Sequence, residues 1–446
     1  MSPVATARRR GIEAAARIAD RAAGERVLVF GSVPPEGRDL DLLARGAGRA
    51  RIAAALQAKG FTRRGDEWVR FASCGAESVE VIPAGRWHLP PAEEASLFGE
   101  ARPLPGARHL VRPAPAHALL ILARRLVAGQ GGIDERRLAR VADALREDRD
   151  AWMPARERAP AWGAGRALAL LHRADRGGPR PTTSERAAAL AEGFRAAGSG
   201  PAVAAIRAAG AVAPRRRRGR VIALSGLDGS GKSAQASGLR DALAALGHDP
   251  VVAWTRLAQD PGLDRVALPV KRAVAAMTRA RGRAGAPGSS DLRASWTQAD
   301  PGGDVRGPRF VLSWTWALFV ALRNGTAQRR ATRPNVRAGR VVICDRYLLD
   351  SEVHLRDRYG RSRRFAVAMW AIRRLSPRPL RAFFLDVPPE VALTRKPDDW
   401  TIPELARQAE LYREDAARLG VRRLDGTRPP EELCAEIARE VWLALG

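Results

Sequence analysis

Gly226-Leu227-Asp228-Gly229-Ser230-Gly231-Lys232-Ser233 stands between the apolar run Val221–Ser225 and the helix-suited stretch Ala234–Leu246. A G-x-x-x-x-G-K-[ST] spacing set between a strand and a helix leaves few folds open. Its glycines let successive backbone N–H groups turn inward around phosphate oxygens, and the helix adds the positive end of its dipole. In that arrangement Lys232 reaches the β- and γ-phosphates of a nucleoside triphosphate, and the Ser233 hydroxyl ligates Mg²⁺. A chance Gly-rich turn would join strand to helix equally well, but it would need no lysine. This chain of 446 residues has lysine only at Lys59, Lys232, Lys271 and Lys396.

Strand and helix patterns alternate from Gly219 onward. Strands are expected at Val221–Ser225, Val251–Trp254, Val341–Cys344 and Ala382–Leu385. Helices are expected at Ala234–Leu246, Phe310–Arg330, Ile402–Leu419 and from Pro430. Such alternation predicts an α/β domain over 219–446, a doubly wound parallel sheet with helices on both faces. Thr278–Gly307, rich in Gly, Arg, Pro and Ser, reads as a mobile insertion. Ahead of this domain, a helix over Gly11–Ala23 and strands at Val27–Phe30, Asp39–Leu43 and Val79–Ile82 make a small α/β unit over 1–90. It closes near Pro90 or Pro91. A helical extension covers 91–175, with apolar spacing from His117 to Leu145. Residues 176–218 read as a linker with room for one or two helices, ending in the basic run Arg215–Arg218.

The formal net charge of +28 raises a nucleic-acid surface as a hypothesis. The excess is almost all arginine, spread along the chain rather than gathered in one stripe, so a solvated basic exterior is the better account. Cys74, Cys344 and Cys434 lie far apart and make no metal-type pair. With no apolar run near the ~20 residues of a membrane span, the chain reads as cytoplasmic and soluble.

Val341-Val342-Ile343-Cys344 ends in Asp345-Arg346, and carboxylates at strand ends are where doubly wound sheets keep ligands. Asp345 is thus a candidate to hold Mg²⁺ through water, and Arg346 to face an acceptor phosphate. A strand ending in Asp-Arg is otherwise commonplace; a phosphate loop upstream reverses the odds. The loop with Gln235, the helix segment Leu318-Phe319-Val320-Ala321-Leu322-Arg323, Asp345-Arg346-Tyr347, Leu385-Asp386-Val387-Pro388-Pro389-Glu390 and Leu424-Asp425-Gly426 together resemble the thymidylate kinases over about 219–446. The resemblance implies ATP and Mg²⁺ as cofactors and a nucleoside monophosphate, dTMP first, as acceptor. It also implies Phe319 stacked on the base, Asp228 at the sugar hydroxyl, and Arg256, Arg323 and Arg346 on the acceptor phosphate. Tyr347 would close the pocket, and Arg395, beside Lys396, would steady transition-state charge. The chain departs from the family after Tyr347, where Leu348-Leu349-Asp350-Ser351 replaces an early serine and an Ala-Tyr-Gln segment, and around Thr255-Arg256-Leu257. Both departures bear on the acceptor.

Gly31-Ser32, Asp39-x-Asp41 and Glu80 resemble the nucleotidyltransferase superfamily over about residues 20–125. That resemblance implies a turn for nucleotide phosphates and three carboxylates, Asp39, Asp41 and Glu80, as metal ligands. Acidic residues two apart on a strand do point the same way.

Three readings follow: a thymidylate-kinase-like enzyme; a P-loop kinase for another small acceptor joined to a nucleotidyltransferase; and an ATP-regulated nucleic-acid-binding module. The expected partner is a small nucleotide, with nucleic acid and membrane disfavoured and a second copy of the chain a candidate.

Overall fold

The computed structural model describes residues 3–34, 39–72, 75–128, 135–212, 219–254, 310–359, 366–397 and 400–446. It divides into two compact units, Met1–Arg216 and Arg217–Gly446.

In the first unit, α1 (Pro3–Ala23) leads into β1 (Val27–Val29), β2 (Leu40–Ala44), α2 (Gly46–Ala58), β3 (Thr62–Arg64), β4 (Glu67–Ala72) and β5 (Gly75–Pro83). Next come α3 (Pro91–Gly99), β6 (Arg102–Pro103), β7 (Leu110–Arg112), α4 (Pro115–Ala128), α5 (Glu135–Glu147), α6 (Trp152–Arg158), α7 (Gly165–Asp175), α8 (Thr183–Ala196) and α9 (Pro201–Val212). The seven strands form one sheet in the order β3-β4-β5-β2-β1-β7-β6. Strand alternation decides its faces. Val27, Val29, Leu40, Leu42, Val79 and Val81 pack on α1 and α2, whereas Leu28, Phe30 and Leu43 pack on α4 and the helices after it. Asp41 and Glu80, offset by one from the first set, therefore belong to the face that α4 covers.

Two expectations fail here. The sheet does not close near Pro90, because β7 returns to pair in parallel with β1, Val27 opposite Leu110. Nor is the described part of the expected linker, 176–212, a spacer, although it does carry the two helices allowed for it. Thr182 and Glu185 form a capping box that starts α8, and Ala189 and Leu190 join the core around Trp162. An Ala-rich segment reads as spacer by composition, yet small side chains let helices approach closely.

The second unit runs β8 (Arg220–Gly226), α10 (Lys232–Ala245), β9 (Pro250–Trp254), α11 (Phe310–Arg337), β10 (Val341–Asp345), α12 (Leu348–Tyr359) and α13 (Ala366–Leu375). It continues through β11 (Arg381–Asp386), α14 (Pro389–Arg395), α15 (Ile402–Leu419), β12 (Arg422–Asp425) and α16 (Pro430–Leu445). The strand order is β12-β11-β8-β10-β9, and every pairing is parallel, as the alternation predicts. Val221, Ala223, Val342 and Cys344 share a cluster with Val336 of α11, while Ile222, Leu224 and Ile343 are buried too. Strands covered on both faces read as continuous apolar runs, which made β8 and β10 legible. Helix α11 passes Arg330 and carries Pro334 inside it. The expected insertion, Thr278–Gly307, lies outside the described residues.

Candidate functional site

The loop after β8 is shaped by contacts that exclude side chains. A Cβ on Gly229 would sit 2.1 Å from the Ala392 carbonyl oxygen, at a φ of +82°. Gly231 caps α10 at φ +89°, a left-handed conformation that glycine adopts without strain. Lys232 is then turned back across the loop and buried. Its Nζ donates to the carbonyls of Gly226 at 2.9 Å and Leu227 at 2.6 Å. Burial, helped by the charge of Arg346, lowers its pKa to about 8. It also donates to the Ser230 hydroxyl at 3.4 Å, and a buried ammonium whose hydrogen-bond acceptors are all neutral is what an incoming phosphate would neutralise.

Parallel registry of β8 and β10 brings Asp345 beside Leu224, so the strand-end carboxylate lies next to the loop. The Ser233 hydroxyl donates to Asp345 Oδ2, while Asp345 Oδ1 is buried with no hydrogen-bond partner. An orphaned carboxylate oxygen beside a loop hydroxyl fits Mg²⁺, which takes one or two protein oxygens and leaves its other positions to water and phosphate. Arg346 has φ +72°, a conformation that costs a non-glycine residue roughly 1–3 kcal/mol. Its N–H donates to Leu224 O at 2.9 Å, and its guanidinium pairs with Asp228. Burial opposes ionisation of Asp228, but Arg346, Lys232 and Lys396 outweigh it and hold the carboxyl below its ordinary range.

One residue of this centre was missed from sequence. Asp350, fully buried, accepts from Gly226 N at 3.4 Å and Tyr412 Oη at 2.8 Å through Oδ1, and from Tyr347 N at 2.8 Å through Oδ2. It ties the loop's start to the turn after β10. Its signal was an acidic residue in the first turn of α12.

The acceptor-side residues divide. Phe319 is 39% exposed and lies one turn from Arg323 on α11, so the two share a face. Tyr347 is instead a core residue, 1% exposed, with its hydroxyl donated to Pro377 O at 2.8 Å. It supports the turn rather than closing a pocket. Arg395 donates to Gly426 O at 2.9 Å, whereas Lys396 stands 3.7 Å from Asp228, so the lysine of this pair faces the loop. Arg256 lies outside the described residues.

In the first unit, β2 and β5 set Asp41 opposite Glu80, and Gly31 lies so close that a Cβ there would overlap the Asp41 carboxylate. Arg125 of α4 donates to Asp41 Oδ2 at 2.6 Å. Burial first, and then the charge of Asp41, push Glu80 up to about 7, against the pull of Arg125. Among the described residues no three His, Cys, Asp or Glu side chains could hold a metal ion. The expected set of Asp39, Asp41 and Glu80 thus does not fit one as arranged, because a guanidinium stands where a cation would.

No protein-family model matches the chain. A thymidylate kinase of Dinoroseobacter shibae is 29% identical over 239 residues, covering 51% of this chain and 98% of that protein. A thymidylate kinase of Ruegeria pomeroyi is 28% identical over 237 residues, covering 50% of this chain and 94% of its own length. A third, from Symbiobacterium thermophilum, is 32% identical over 137 residues, covering 28% of this chain and 64% of that protein. About half of the chain is therefore thymidylate-kinase-like in sequence, alongside the parallel sheet and phosphate loop of the second unit. Among the described residues no helix is long and apolar enough to cross a membrane.

Proposed function

We propose that the second unit transfers the γ-phosphoryl group of ATP to a nucleoside monophosphate, with dTMP the acceptor and dTDP the product. The observation that carries this reading is the pairing of Ser233 with Asp345, whose second oxygen is left unpartnered beside the loop lysine. In the reaction an acceptor phosphate oxygen bonds to the γ-phosphorus. The bond from that phosphorus to the β–γ bridging oxygen breaks, and ADP leaves with the electron pair. A nucleoside monophosphate is largely a dianion at neutral pH, so the step needs no base to remove a proton.

Residues of the chain hold and orient the reacting groups. Backbone N–H groups of the loop and Lys232 receive the β- and γ-phosphates. Ser233 and Asp345 would hold Mg²⁺, which when bound neutralises charge on the phosphate oxygens. Arg346, strained and anchored through Asp228, would meet the acceptor phosphate together with Arg323. Lys396, which faces the loop, is the cation at hand for charge that develops in transfer, and Arg395 would serve there only by leaving the Gly426 carbonyl. Phe319 offers a ring face for the base. The departures around Arg256 and after Tyr347 favour some tolerance among pyrimidine monophosphates.

The test is product analysis with ATP, Mg²⁺ and a panel of nucleoside monophosphates. The expected result is a diphosphate product from dTMP, with turnover in Lys232→Ala down by roughly 10²–10³-fold. Full turnover in a folded Lys232→Ala protein, or transfer only to an acceptor of another kind, would overturn the assignment.

A further inference from the structure

A cavity of about 610 Å³ lies within the first unit, between the sheet face that carries Glu80 and the layer formed by α4, α7, α8 and α9. Its walls are mostly apolar, with the rings of Phe30, Trp87 and Phe194 among them. Phe30 and Trp87 meet edge to face at 5.3 Å, which fixes both rings. Four arginines also reach this cavity: Arg86, Arg124, Arg125 and Arg207.

Their partners set two of them apart. Arg86 is paired with Asp66 at 2.8 Å, and Arg125 with Asp41 at 2.6 Å. Arg124 instead spends both terminal nitrogens on one neutral acceptor, the Trp87 carbonyl at 3.2 Å. Arg207 donates to the Ser199 hydroxyl at 3.2 Å. Among the described residues no carboxylate pairs with either. Burial lowers the pKa of Arg124, and no nearby acid opposes the shift. A guanidinium partly withdrawn from water without a counter-charge is unfavourable, because no ion pair offsets its lost hydration. In a chain where so many arginines find acids, an uncompensated one facing a cavity points to a charge supplied from outside.

We propose that this cavity binds a small organic anion, a ring-bearing phosphate ester or carboxylate. Arg124 meets the anionic group from inside, Arg207 meets it from the rim, and the body lies among Phe30, Trp87 and Phe194. The volume suits a ligand of that size, since small-molecule pockets run from roughly 300 to 1,000 Å³. Glu80, on the same wall, offers its carboxyl to a ligand hydroxyl. The site shares no residue with the phosphate loop and does not depend on the kinase reading.

The test is calorimetric titration of the full chain with phenyl phosphate, benzoate, inorganic phosphate and benzyl alcohol. Phenyl phosphate or benzoate should bind at least about tenfold more tightly than inorganic phosphate or benzyl alcohol, and the tighter of the two names the head group. Arg124→Ala should lower that affinity about tenfold or more, and Arg124→Lys by less. Gly193→Leu narrows the cavity from α8, where a Cβ would meet nothing closer than Gly163 O at 3.4 Å, and should weaken binding with the guanidinium intact. That variant decides the matter if Arg124→Ala does not fold. Benzyl alcohol binding as tightly as the anions, no signal from any aromatic anion, or a signal that survives Gly193→Leu would overturn the proposal.

Discussion

Asp345 and Asp41 are both buried carboxylates on fully buried strands, and both were read from sequence as metal ligands, yet their surroundings differ. Asp345 shares one oxygen with the Ser233 hydroxyl and keeps the other free of partners. Asp41 has the guanidinium of Arg125 against Oδ2, with Glu80 pushed towards neutrality beside it. A neutral hydroxyl leaves a carboxylate's charge available to a cation, whereas a guanidinium cancels it. The same residue type on a buried strand thus keeps its charge available to a cation in one unit and is half of an ion pair in the other.

The largest expected effect tests that contrast directly. Asp345→Asn should lower phosphoryl transfer by roughly 10²-fold and raise the Mg²⁺ concentration needed for half-maximal rate, whereas Asp41→Asn should leave both unchanged. Steady-state rates across a Mg²⁺ titration check it. Equal losses in the two variants would mean that Asp41 also serves the kinase centre.

Next in size is the acceptor. Phe319→Ala should raise the KM for the monophosphate by about tenfold, the scale of a lost aromatic contact, while the KM for ATP stays within about twofold. Parallel loss for both substrates would move Phe319 out of the acceptor pocket.

Arg125→Ala should destabilise the first unit by about 1–3 kcal/mol, because it strips the counter-charge from a buried Asp41. The figure lies below that for a fully buried pair, since the Arg125 side chain is 38% exposed. Urea unfolding measures it. An unchanged midpoint would mean that water already compensates Asp41.

The smallest effect is in pH. Glu80, raised from its ordinary 4.5 to about 7, keeps its proton in the folded chain where the unfolded chain has lost it. Its contribution to stability is therefore complete below pH 4.5 and is lost as the pH rises through 7. Glu80→Gln should remove about 1–2 kcal/mol of that decline, allowing for solvent screening of a partly exposed group. Unfolding at pH 5 and pH 8 shows whether the decline belongs to Glu80.

Local chemistry by itself determined the phosphate loop, since the spacing of Gly226, Gly231, Lys232 and Ser233 between a strand and a helix was enough to find it, although Gly229 also answers to the distant Ala392 carbonyl. It also determined β8 and β10, because strands buried on both faces are apolar at every position. It failed where a strand lacks such a run. Strand β12 begins with exposed Arg422 and Arg423 and buries only Leu424, and β7 is three residues long. Composition also misjudged 176–218, because alanine makes a spacer and a close helix contact from the same residues. Only the tertiary structure decided what each charged side chain does. It sent Tyr347 into the core, turned Arg395 to Gly426 and Lys396 to Asp228, and set Arg125 on Asp41. Arg125 and Asp41 are 84 residues apart in sequence, and Asp228 and Arg346 are 118 apart. The reason is range. Backbone conformation answers to neighbouring residues, whereas the state of a buried charge depends on which distant group the fold brings within a few ångströms of it.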